Sequence, residues 1–154
     1  MSEITQRLVE LGLELPEAPA PAANYVPYVI CGNTLYVSGQ ISIAASGDLI
    51  TGKVGIDLSV EEGAKAAERC GLALLAQANA ACGGDLGKVK RVLKLTGFVN
   101  SGPDFTDQPK VVNGASDLMV AVLGDAGRHA RAAVSAGALP LGVAVEVEGI
   151  FELA

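Results

Sequence analysis

The stretch that most constrains this chain is its last, Arg128 to Leu153, RHARAAVSAGALPLGVAVEVEGIFEL. It sets one arginine, Arg131, in an otherwise uncharged run that alternates as a β-strand does. The run breaks at Ala138-Leu139-Pro140-Leu141-Gly142 and resumes as a second strand with Glu146, Glu148 and Glu152 on alternate positions. The two strands read as a closing hairpin. An arginine among small strand residues costs stability unless its donors are matched, and its planar fork suits a carboxylate bidentately. The partner is then Glu146 or Glu148 across the hairpin, or the carboxylate of a ligand; on the residues alone the internal salt bridge has a slight advantage. A buried glutamate beside an arginine can also orient water or shuttle a proton. His129 shares the face of Arg131 and is the only histidine, open to a structural or a functional role.

The rest of the chain supplies the support for those strands. Ser2 to Leu13 reads as a short amphipathic helix capped by Ser2, followed by an extended proline-rich connector from Leu15 to Pro21. Residues 1–23 are thus expected to form an N-terminal helix and extension laid over a single domain spanning 24–154. Tyr25 to Ile30 and Thr34 to Gln40 are β-rich runs joined by a turn at Cys31-Gly32-Asn33, and Gly39 permits close approach of a backbone or ligand. Ile41 to Asp57 is a turn-rich loop. Ser59 with Glu62 three residues later is a capping box opening a long helix, which Gly83-Gly84 ends. A third strand is expected over Val89 to Val99, and a second core helix from Gln108 or Pro109 to Leu123. Asn113 lies mid-helix among apolar residues, where an amide wants partners. The order β-β-α-β-α-β-β implies an α+β fold, a mixed sheet with two helices on one face. The other face is left apolar, and self-association in a closed ring covers it economically.

Composition removes several function classes. Half of the residues are hydrophobic and 18% charged, which suits a globular domain of 154 residues rather than a disordered chain. The apolar runs are too interrupted to span a membrane, and the first twenty residues lack a basic start and an apolar run, so no signal peptide is expected. Three cysteines at unhelpful spacings fit reduced thiols in the cytoplasm, without a disulfide framework or a zinc site. The net charge of −6, with no Lys/Arg cluster, argues against a nucleic-acid partner. Phosphate-binding glycine patterns are missing, and one histidine leaves little for a His-based metal site.

An ordered set of residues carries the reading further. Tyr25, then Leu35-Tyr36-Val37-Ser38-Gly39-Gln40-Ile41, then Asn113, then Ala130-Arg131-Ala132-Ala133-Val134 through Leu139-Pro140 to Val145-Glu146-Val147-Glu148 resembles the YjgF family. These are the reactive-intermediate (enamine/imine) deaminases, also known as L-PSP endoribonucleases, and the resemblance covers about Tyr25 to Ala154. It implies a chorismate-mutase-like fold, assembled as a homotrimer around a central barrel with ligand clefts between subunits. By match of position, Arg131 would hold a substrate carboxylate and Glu146 would position or activate the attacking water. Tyr25, Ser38 and Gly39 would line the pocket, with Asn113 near its wall. The implied reaction is hydrolysis of a 2-aminoacrylate-type enamine, through its imine, to a 2-keto acid and ammonia, with no metal or organic cofactor. A non-catalytic carboxylate-binding trimer and a ribonuclease are the alternatives, and chorismate mutase chemistry is suggested by fold analogy alone.

The departures from that pattern point to a divergent branch. Ala133 stands where many relatives carry cysteine, His129 replaces a small residue or proline, and Ser42 stands where a proline often follows. Met1 to Ala23 is expected to have no counterpart in compact members.

Overall fold

Local chemistry places most element boundaries, and the computed structural model describes residues 1–18 and 23–154. Helix α1 (Glu3–Glu10) starts at Ser2, whose hydroxyl accepts from the Thr5 amide. Its Leu8 is buried and joins the main core together with partly buried Leu13 and Leu15. The N-terminal segment therefore packs on the domain through apolar contacts. Pro19 and Pro21 of the expected connector lie outside the described residues.

Strands β1 (Tyr28–Cys31) and β2 (Thr34–Ile41) form a hairpin around Gly32-Asn33, with Cys31 opposite Thr34. Helix α2 (Val60–Ala81) carries the capping box: the Glu62 amide donates to Ser59 Oγ (3.1 Å) and the Ser59 amide to Glu62 Oε1 (3.2 Å). Strand β3 (Val89–Asn100) follows, then α3 (Gln108–Leu123), β4 (Ala130–Ala136) and β5 (Val145–Leu153). Both long helices lie on one face of the sheet, against β2, β5, β3 and β4, and against each other. They approach closely: a Cβ added to Gly114 of α3 would run into the Ala64 carbonyl of α2. Ala67, Leu74, Leu75, Val111, Val112, Ala115 and Met119 fill the space between them and the inward residues Leu35, Leu95, Val147 and Phe151, all fully buried.

The strand order is β1-β2-β5-β3-β4, with β3–β4 parallel and every other pair antiparallel. This corrects the expected closing hairpin. β4 and β5 are both strands, but β3 separates them, so Arg131 faces neither Glu146 nor Glu148 across a ladder. Alternation tells which residues share a face but not which strands are neighbours. Here the chain leaves the edge strand β4, crosses the sheet end through the Pro140–Gly142 turn, and inserts β5 at the centre.

Among the described residues, nothing forms a covering layer on the opposite sheet face. Val29 and Tyr36 are cross-strand partners there, and Val134 lies on the same face opposite Phe98; Val29, Tyr36 and Val134 are 52%, 46% and 44% exposed. Among the described residues, no helix is long and apolar enough to cross a membrane.

Candidate functional site

Glu146 sits on the central strand β5 between the buried Val145 and Val147, so its side chain leaves the sheet on the uncovered face, opposite Phe98 of β3 and Ile41 of β2. A register shift in β2 between Val37 and Gln40 bends the strand beside it. At that bend a glycine lets the Glu146 carboxylate lie close to the backbone, because a Cβ on Gly39 would displace Oε2 of Glu146. Half-burial raises the Glu146 pKa above the ordinary carboxylate range, and the charge of Glu148, on the same face of β5, adds to the rise. Its own charge and, more strongly, full burial push up the pKa of the neighbouring Cys70 thiol, which keeps that sulfur unreactive.

β1 pairs with β2 over Thr34 to Val37 alone, so the second half of β2 is a free edge. A cavity of about 1240 Å³ opens there, lined by Tyr25, Ser38, Gly39, Gln40 and Glu146, by Arg69 and Leu72 of α2, and by Leu13 to Glu17. Ser38 ties the wall together: its Oγ donates to the Val26 carbonyl (2.8 Å) and its amide to that of Pro27 (2.9 Å). That holds Tyr25 at the rim, 57% exposed. Arg69 donates from Nε to the Ile43 carbonyl (2.9 Å).

Arg131 is elsewhere. It lies on edge strand β4 opposite Leu95, a core residue of the helix-covered face, and its Nη1 donates to Asn113 Oδ1 (2.8 Å) and Ser116 Oγ (3.2 Å) of α3. The mid-helix amide thus has its partner. Neither Arg131 nor Glu146 belongs to any ion pair among the described residues; the pairs are Glu3–Arg7, Lys90–Glu152, Asp107–Lys110 and Asp125–Arg128. The expected internal salt bridge is overturned. Two strand spacings across and three residues along separate the two positions, about 14 Å between Cα atoms. Their side chains leave opposite faces, so no single cleft of one chain holds both.

The structure therefore sorts the expected residues into two groups. Tyr25, Ser38, Gly39 and Glu146 line one cavity; Arg131 and Asn113 form a second group at the far edge. Sequence reasoning passed over Ser116, although it lies three residues after Asn113 and so on the same helix face. It also passed over Arg69 and the wall formed by Leu13 to Glu17, for which helix periodicity gives no distinguishing signal.

Sequence and structure comparisons identify the family and the fold. The family model described as "YjgF/chorismate mutase-like, putative endoribonuclease" matches residues 5–153. Protein TCP17 of Trypanosoma cruzi is 51% identical over 151 residues, covering 97% of this chain and 94% of its own. The crystal structure of Atu1372 from Agrobacterium tumefaciens superposes with a TM-score of 0.92 at 50% identity, covering 99% of this chain and 93% of that one. Coverage that complete extends into the N-terminal segment. RidA from the Antarctic bacterium Psychrobacter sp. PAMC 21119 matches with a TM-score of 0.61 at 31% identity, over 89% of this chain and 94% of its own. The chain belongs to the YjgF family and has its chorismate-mutase-like fold.

Proposed function

We propose that this protein is an enamine/imine deaminase acting on small 2-imino carboxylates, working in the cytoplasm as a homotrimer with its sites between subunits. One observation carries the reading: Arg131 and Glu146 stand on opposite faces of the same sheet, and among the described residues neither belongs to an ion pair. A site that uses both needs a second copy, with the Arg131 edge of one subunit meeting the Glu146 cavity of the next. The exposed apolar residues of the uncovered face favour such an assembly.

In this site Arg131 holds the substrate carboxylate bidentately and sets the imine carbon over Glu146. Glu146, whose proton is held more tightly than an ordinary glutamate's, accepts a proton from the attacking water as the C–O bond forms. It gives that proton to the imine nitrogen to form the carbinolamine, then takes the proton of the new hydroxyl and passes it to the amine, so that the C–N bond breaks as C=O forms and ammonia leaves with the 2-keto acid. Gly39 lets the Glu146 carboxylate lie close to the β2 backbone, and Ser38, through its bond to Val26, holds Tyr25 to close the rim. The reading requires neither metal nor organic cofactor.

The ribonuclease description of the family fits this chain less well. The cavity wall carries Glu14, Glu17, Glu68 and Glu146 against Arg69 alone, in a protein of net charge −6, and repels a phosphate backbone. The test generates imines in situ with an amino-acid oxidase and follows keto-acid release. Catalysis above the uncatalysed rate, lost in Arg131→Ala and Glu146→Gln, supports the reading. Binding of keto acids without turnover would replace it with a carboxylate-binding trimer, and RNA cleavage dependent on Arg131 would replace it with a nuclease.

A further inference from the structure

Arg131 is held by more than one neighbour, and the hydrogen bonds around it have a defined direction. His129 Nδ1 lies 2.6 Å from the Gly127 carbonyl and its Nε2 lies 2.9 Å from Ser116 Oγ. A carbonyl only accepts, so Nδ1 carries the hydrogen, and in the neutral imidazole Nε2 is left as an acceptor. Ser116 then donates its hydroxyl proton to Nε2, and its oxygen lone pairs face Nη1 of Arg131. Without that acceptor a helical serine turns its proton back to the carbonyl one turn earlier. The far end of the chain of bonds is rigid: Gly127 is buried against α3, where a Cβ would run into the Met119 carbonyl.

We infer that His129 and Ser116 are positioning residues for the Arg131 carboxylate clamp. With Asn113 Oδ1 and Ser116 Oγ occupying both hydrogens of Nη1, the guanidinium cannot rotate, and its Nε–Nη2 edge makes no bond to any described residue. That edge is the one a planar carboxylate meets with two parallel hydrogen bonds, and bidentate binding is lost when the plane tilts. The ring acts through Ser116 on Arg131 and does not itself touch substrate. The inference rests on the proposed role of Arg131 and deepens it, giving the sole histidine a task that the pattern of compact relatives lacks.

The test measures binding of 2-ketobutyrate to the assembled protein by calorimetry. Arg131→Ala is expected to abolish binding. His129→Phe and Ser116→Ala should each weaken it about tenfold, as expected for disturbing one hydrogen bond to a charged group, with Tm close to the parent's. His129→Gln should restore most of the affinity, since its amide oxygen can accept the Ser116 proton. Affinities of His129→Phe and Ser116→Ala within about twofold of the parent, with Arg131→Ala inactive in binding, would overturn the inference and leave the clamp standing. Equal weakening in His129→Phe and His129→Gln would overturn it as well, because filling the space would then be all the ring does. Binding undiminished in Arg131→Ala, or absent from the parent protein, would remove the clamp itself and this inference with it.

Discussion

The two halves of the candidate site are built on unlike ground. Glu146 stands on the central strand, flanked by two ladders and by residues with no exposure, and its carboxylate lies over a glycine whose replacement by anything larger would displace it. Arg131 stands on the edge strand, with a single ladder to β3, and takes its orientation from side chains of α3. Position on the central strand restricts Glu146 by backbone and packing, whereas hydrogen bonds restrict Arg131. A proton-transfer group benefits from the first, because half-burial is what changes its proton affinity. A carboxylate clamp benefits from the second, because it must remain solvated enough to admit an anion while holding a fixed plane.

If the site joins the Arg131 edge of one subunit to the Glu146 cavity of another, the largest effect comes from mixing. Arg131→Ala should lose about a hundredfold in kcat/KM, as expected for a charge-assisted bidentate contact. Glu146→Gln should lose about a hundredfold or more in kcat. Unfolding and reassembling the two inactive variants together should restore activity to about a quarter of the parent's, since random assembly places an intact Arg131 opposite an intact Glu146 in about one site in four. Sites contained within one chain would stay dead in the mixture. Next in size is Gly39→Ala. The new methyl displaces the Glu146 carboxylate or reopens the bend in β2, and deamination should fall about tenfold or more with the far-UV spectrum unchanged.

Most of the scaffold was legible in the sequence, and four of the expected site residues, Tyr25, Ser38, Gly39 and Glu146, line one cavity. The capping box at Ser59, the break at Gly83-Gly84 and the alternation through β3 are local signals, and each appears in the structure within a residue or two of its expected place. Strand adjacency was not legible. The run from Arg131 to Glu146 looks like a hairpin because a short break separates two alternating strands, yet the chain crosses the end of β3 within that break. The wrong pairing produced the wrong partner, an internal salt bridge. His129 and Arg131 were read correctly as sharing a face; what they share there, the Ser116 hydroxyl, depends on how α3 packs on β4 and has no local signature.

The comparison is sharpened by a change on the Arg131 side that leaves Glu146 alone. Asn113→Ala removes one of the two acceptors of Nη1 while the helix gains a better former. KM for carboxylate substrates should rise about fivefold with kcat nearly constant, a loss on the scale of one hydrogen bond. A fall in kcat equal to the rise in KM would mean that Asn113 acts on the reacting atoms rather than on the clamp.

The smallest effect tests the Glu146 side without any substrate. Burial and the Glu148 charge raise its pKa in the folded chain, so the folded state binds this proton more tightly than the unfolded state does. Stability from this group is then greatest at acid pH and falls as pH rises from the ordinary glutamate range through the raised value, above which it is constant. Glu146→Gln removes that loss. At neutral pH its Tm should exceed the parent's by about 1–2 °C, a small gain because the group is only half-buried and solvent screens it. The gap should close as pH drops below the ordinary glutamate range. Glu148→Gln removes only the weaker of the two causes and should recover part of the gain. A gap independent of pH would mean that the glutamine stabilises by packing, and that Glu146 is no more reluctant to ionise than a surface carboxylate.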